Sequence, residues 1–235
     1  MRRAAGLLVA VALLAGCGGG DGDEQAQAPA TVETTTTAPT QEGTRPLKAG
    51  PLKPGRYATK RFRPSLSFTV PRGWAATPEH PLFVGLAYRD ARRNFLVAFV
   101  RPARVVDPAR TYSSLDVPDE ALLPVPEDLL GWLAAHPRHK AGPRFAASVG
   151  EAAGDAVDVR VVSGYRGAGC SALCVYTFSI EPGFILFSDE GQKIRSIVVD
   201  VAGEEVLVAV LADEETFEQS MRKAQELLAT VDFGN

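Results

Sequence analysis

The spacing of histidine, cysteine, serine and arginine decides first what chemistry this chain is equipped for. His136-Pro137-Arg138-His139 sets two imidazoles three residues apart. Metal-binding helices use such a pair together with acidic partners on one face. Here Pro137 breaks the helix between the rings, so His136 reads as a solvated helix end and no metal is expected. His80 sits in an evident loop beside Pro78 and Pro81. Ser113, Ser114, Ser163 and Ser171 lack the G-x-S-x-G turn that presents a serine nucleophile. A triad assembled from distant residues stays open. No phosphate-cradling glycine motif occurs, and the glycine-rich stretch 164–169 precedes a pair of cysteines and no clear helix. No catalytic residue, cofactor or metal ligand is therefore assigned.

The amino terminus carries the most specific pattern. Arg2 and Arg3 are followed by a nearly uninterrupted apolar run over 4–14. That run suits the core of an export signal and falls short of the roughly 20 residues of a membrane span. It closes on Leu14-Ala15-Gly16-Cys17. This tetrapeptide resembles the bacterial lipobox, and the resemblance implies lipidation of Cys17 followed by cleavage before it. Residues 1–16 are then a lipoprotein signal peptide. The mature chain is held by lipid on the extracytoplasmic face of the cell membrane, where two or three acyl chains give stable anchoring. Residues 17–54 are rich in Gly, Thr, Pro and acidic groups and hold few large apolar side chains, so they read as a disordered tether. About 35 such residues span roughly 35 Å. The Thr-rich patch at 34–37 is open to glycosylation.

Export changes the meaning of the remaining cysteines. Cys170 and Cys174 stand four apart in Gly-Cys-Ser-Ala-Leu-Cys. Outside the cytoplasm such a pair is expected as a disulfide. Its Cα atoms must approach to about 4.4–6.8 Å, whereas an extended strand would hold them roughly 13 Å apart. The chain must turn between them. A redox pair or half a metal site is the rival reading, although the spacing is not C-x-x-C. Arg89, Arg92, Arg93, Arg101 and Arg104 form the densest basic stretch. They read as a charged hairpin tip and flank, the sharper alternative being a dock for an anionic partner. Trp74, Trp132, Phe83 and Phe184 read as core more than as a ligand platform.

The formal charge is −3, and −5 once Arg2 and Arg3 leave. Such a mildly acidic, mixed surface gives no case for nucleic acid. Residues 55–235 suffice for one domain with a real core. Alternation over 66–70, ended by Pro71-Arg72-Gly73, predicts a half-buried strand. Hairpins are predicted from 82–88 with 94–100, from 174–180 with 184–188 around Glu181-Pro182-Gly183, and from 194–201 with 205–211 around Ala202-Gly203. A further strand is predicted over 155–163. One helix is predicted from Pro126 to His136, and a second from an Asp213 cap to near Thr230. The expected class is α+β: an antiparallel sheet with one face packed by two main helices, in one domain.

Ser67-Phe68-Thr69-Val70-Pro71-Arg72-Gly73-Trp74, and a closing amphipathic helix before Thr230-Val231-Asp232-Phe233, carry a family resemblance. Together they are similar to the PsbP-like sandwich family and to LpqN/LpqT-type actinobacterial lipoproteins. The resemblance implies a twisted antiparallel sheet between helices, in a family used mainly for binding and assembly. It supplies no catalytic residues, and Cys170 and Cys174 match no part of its pattern. The expectation is a non-enzymatic envelope module binding a lipid, a cell-wall component or a protein. A cell-envelope hydrolase with a dispersed site is the alternative.

Overall fold

A computed structural model describes residues 43–91, 93–112, 116–166, 173–181 and 184–234. The expected leader, Cys17, most of the expected tether, Arg92, Ser113, Ser114, Cys170, Ser171 and the 182–183 turn lie outside the described residues. In chain order, β1 (Arg45–Pro46), β2 (Gly50–Pro51), β3 (Gly55–Ala58), β4 (Leu66–Val70), β5 (Trp74–Ala76), β6 (Phe83–Arg89), β7 (Asn94–Val100), β8 (Arg104–Val106) and β9 (Leu122–Leu123) precede helix α1 (Leu129–Ala135). After α1 come β10 (His139–Val149), β11 (Ala152–Val161), β12 (Tyr165–Arg166), β13 (Leu173–Glu181), β14 (Phe184–Asp189), β15 (Gln192–Val201) and β16 (Glu204–Asp213). Helix α2 (Phe217–Leu228) and β17 (Asp232–Phe233) close the domain.

The frame is an eight-stranded sheet in the order β10-β11-β15-β16-β7-β6-β5-β2. Every pairing within it is antiparallel. In β16, Val206, Val208 and Val210 face one core, while Leu207, Ala209 and Leu211 face another. Strand β7 divides the same way, with Phe95, Val97 and Phe99 against Leu96, Ala98 and Val100. Side chains alternate across a strand, so two apolar sets demand two covered faces.

The first face is covered by α2 and by a small sheet in the order β1-β3-β4-β17. Phe217, Met221, Ala224, Leu227 and Leu228 of the helix join Phe68 and Trp74 in that core. The second face is covered by α1 and by a sheet in the order β12-β13-β8-β9, with β14 paired to β13. Leu129, Leu130 and Leu133 of α1 meet Val175, Phe178 and Ile180 there. The α+β class with an antiparallel sheet holds, but the two helices do not share one face. A helix of seven residues is about 10 Å long, too short to cover a sheet this wide. Strands β13 and β14 do the rest.

The domain also begins before residue 55. Leu47 is 5% exposed within the first core, and its N–H donates to the Ala58 carbonyl at 2.8 Å. Leu52 N–H donates to the Trp74 carbonyl at 2.8 Å. Single leucines among Pro, Lys and Gly mark these two short strands, and composition alone assigned them to the tether.

Helix α1 starts at Leu129 because Asp128 caps it, accepting from Gly131 N–H at 3.0 Å. Pro126 and Glu127 lie ahead of it. The second helix is shorter than expected. Asp213 precedes a 3-10 turn, Glu214–Thr216, and its side chain makes no cap hydrogen bond; the α-helix proper begins at Phe217. At the β15–β16 turn, Ala202 and Gly203 both have positive φ, 54° and 84°. They link the paired Val201 and Glu204, the geometry of a two-residue primed hairpin turn.

Candidate functional site

Helix α1 and the start of β10 place the two histidines that the sequence puts at a helix end. Both are buried, His136 at 3% and His139 at 9% exposure. The solvated helix end is thus corrected: Pro137 does stop the helix, but Val162 N–H donates to the Arg138 carbonyl at 3.0 Å, which folds the segment back against β11. The rings stand 4.4 Å apart. Trp132 packs edge-on against His136 at 5.6 Å and lies tilted against Phe178 at 6.1 Å. Burial pushes His136 down to about 3, with the neighbouring His139 and Arg138 adding to the effect. Burial also lowers His139, against the opposing pull of the Leu133 carbonyl.

His139 Nδ1 lies 3.0 Å from the Leu133 carbonyl oxygen. A carbonyl oxygen only accepts, so Nδ1 carries the proton and Nε2 keeps its lone pair. That Nε2 is buried with no hydrogen-bond partner among the described residues. It belongs to a residue lining a cavity of about 60 Å³ between the central sheet and the β13–β14 layer. Leu96, Val100, Leu133, Phe178, Leu186 and Ile194 supply apolar walls, and Thr177, Ser188 and Ser196 interrupt them. Ser188 is 2% exposed, and among the described residues its Oγ is also without a partner. Two unmet polar atoms on residues that line one apolar cavity are unusual, because an unpaired buried polar group costs about 1–3 kcal/mol.

The sequence singles out His139 but not Ser188 or Ser196. A signal for them exists. Strand β14 sends Phe184 and Leu186 to the second core, and Ser188 falls at the next position of the same alternation. Ser196 sits between Ile194 and Val198 in the same way. Each is a serine where period two calls for a hydrophobe.

The other singled-out residues do not converge. Arg89 and Arg93 lie at the turn end of the β6–β7 hairpin, Arg101 and Arg104 beyond its far end. Seven strand residues separate the groups by about 20 Å. Arg93 Nε donates to Asp90 at 2.9 Å and stacks over Tyr88. Arg101 pairs with Glu204, and Arg104 donates to the Leu122 carbonyl at 3.2 Å. Trp74 and Phe83 are buried, Trp74 edge-on to Tyr88 and Phe95. His80 Nε2 meets Glu181 Oε2 at 3.1 Å, and its ring stacks on Phe184. Cys174 is wholly buried among Val106, Tyr112 and Tyr176.

No family model matches the chain, and no curated protein matches it. Among solved structures it is similar to one from Bacteroides thetaiotaomicron, at 10% identity and a TM-score of 0.35 over 72% of this chain. It spans under half of that structure, 45%. It is similar to LpqN of Mycobacterium tuberculosis, described as involved in cell envelope biogenesis, at 13% identity and a TM-score of 0.34, covering 77% of this chain and 84% of that one. It is also similar to the solution structure of PsbP (CyanoP) from Synechocystis sp. PCC 6803, at 12% identity and a TM-score of 0.36, covering 76% and 91%. Among the described residues, no helix is long and apolar enough to cross a membrane.

Proposed function

We propose that this protein is a lipid-anchored, extracytoplasmic binding module that captures a small molecule and performs no chemistry on it. The observation that carries the binding reading is the apolar cavity under α1, with unpartnered His139 Nε2 and Ser188 Oγ among its lining residues. Ligand sites are mostly apolar with a few polar groups that fix orientation. The anchoring rests on Leu14-Ala15-Gly16-Cys17 behind a short charged and apolar leader, and the disulfide between Cys170 and Cys174 belongs to the same exported setting.

A hydrolase built on Ser188 and His139 is the rival. Its nucleophile and base would have to be hydrogen-bonded, and neither Oγ nor Nε2 has a partner among the described residues. Burial further opposes the imidazolium that a general base must become.

The test uses the chain purified from membranes of its own host. Intact-mass analysis is expected to show a diacylated Cys17 at the new amino terminus. Denaturing extraction is expected to release a bound small molecule. An uncut or unacylated terminus overturns the anchoring. An empty extract overturns the small-molecule reading, and an empty extract together with no crosslinked partner overturns the binding module as a whole.

A further inference from the structure

The cavity under α1 also defines what it accepts, an inference that rests on the binding reading. The lone pair on His139 Nε2 accepts a hydrogen bond and has none to donate, because Nδ1 holds the proton against the Leu133 carbonyl. The Ser188 hydroxyl both donates and accepts. A group reaching both would donate to the imidazole and accept from the serine, which is what an alcohol does. Among the described residues the lining contains no Lys, Arg, Asp or Glu. A carboxylate or ammonium would lose its hydration there without a counter-ion, which is strongly unfavourable. Leu96, Val100, Leu133, Phe178 and Ile194 demand an apolar body behind the hydroxyl. A volume of about 60 Å³ holds about four or five water-sized groups at roughly 12 Å³ each. That fits a short alkanol or the hydroxyl end of a larger apolar molecule.

We propose that the cavity lined by His139, Thr177, Ser188 and Ser196 is a binding site for an uncharged, hydroxyl-bearing apolar group. The hydroxyl donates to His139 Nε2 and accepts from Ser188 Oγ, while its chain lies along the apolar wall.

The chain has three histidines, so imidazole nitrogen NMR on histidine-labelled, detergent-solubilised mature protein resolves His139. Titration with 1-butanol is expected to shift the Nε2 signal saturably. Butyrate and butylammonium at equal concentration are expected to leave it unmoved. Ser188→Ala is expected to weaken butanol at least about tenfold, the scale of one lost hydrogen bond, with an unchanged circular dichroism spectrum. An unmoved Nε2 signal in butanol overturns the proposal, as does equal response to butyrate. A response identical in wild type and Ser188→Ala also overturns it. The extraction above separates the two readings: a bound cargo without a hydroxyl sinks this inference alone, whereas no cargo and no partner sinks the broader reading.

Discussion

The rings of His136 and His139 lie 4.4 Å apart, tilted by 30°, and both are held below their usual protonation range. Burial lowers His136 to about 3 and also lowers His139, while in an unfolded chain each titrates near 6.5. Below about pH 6.5 the unfolded state therefore binds more protons than the folded one, and stability falls as the medium is acidified toward 3. Each histidine contributes a slope of at most about 1.4 kcal/mol per pH unit. Carboxylates titrate near 4, so the interval from about pH 6.5 to 5 isolates the histidines. His136→Asn retains an acceptor for the Arg138 N–H, which His136 Nδ1 meets at 3.2 Å. It is expected to remove at least about half of the slope in urea unfolding midpoints. A wild-type midpoint that stays flat across that interval contradicts a neutral buried pair.

Asp158 and Arg195 face each other in register across β11 and β15. Their two hydrogen bonds measure 2.7 and 2.9 Å, and Lys193 Nζ approaches Asp158 at 3.1 Å. Partial burial alone raises the Asp158 carboxyl, but the hydrogen bonds and charges of Arg195 and Lys193 outweigh it and leave it lowered. Its contribution is present above the unfolded value near 3.9 and is lost as pH falls through the folded one. Asp158→Asn is expected to destabilise the domain by about 1–3 kcal/mol at neutral pH. Thermal melts of both proteins measure this. A loss that stays constant as pH drops through 4 to 2 would show that the carboxylate charge contributes nothing.

Much of this frame is legible in the sequence, and the failures have physical causes. The hairpins around Ala202-Gly203 and between 88 and 94 stand out because apolar runs flank short polar turns. Strand β10 goes unread because Lys140, Gly142, Pro143 and Arg144 show no alternation. It is the outer edge of the large sheet, where sequences carry charge and proline to discourage further pairing. The register shifts between Ala141 and Arg144, around that proline. The two-faced burial of β7 and β16 leaves unbroken apolar runs in the sequence, a mark that the expectation of one packed face passes over. His139 was named for its imidazole, but its buried place depends on β11 and β13, far away in sequence.

Ala202 holds φ at 54°, a left-handed conformation that a Cβ disfavours by roughly 1–2 kcal/mol. Asn tolerates it better and is preferred ahead of Gly in this turn. Ala202→Asn is expected to stabilise the domain by about 0.5–1 kcal/mol, read as a rise in melting temperature of about 1–4 °C. An unchanged or lower melting temperature would argue against a strained turn.

The proposed Cys170–Cys174 bridge is tested by thiol titration of the chain purified from its host. No reactive thiol is expected in denaturant until reductant is added, because under the proposed lipidation Cys17 carries no free thiol. Cys174 is wholly buried, so folding alone would also hide it, and the denaturant distinguishes the two. Thiols titrating without reductant would leave the pair reduced and revive the redox alternative.

Gly150 ties the two ends of the first core together. Its N–H donates to the Leu228 carbonyl at 2.8 Å, at the last residue of α2. Its φ is +56°, and a Cβ built there would sit 1.8 Å from the Val231 carbonyl oxygen. That neighbour is backbone, so it cannot rotate away as a side chain would. Gly150→Ala must combine left-handed strain with displacement of the α2–β17 connection. A loss of at least about 2 kcal/mol is expected. Hydrogen exchange is expected to quicken first in α2 and β17, while β6 and β7 stay protected. Uniform loss of protection throughout the sheet would mean that the helix C-terminus is not a separable unit, and that the first core opens only as a whole.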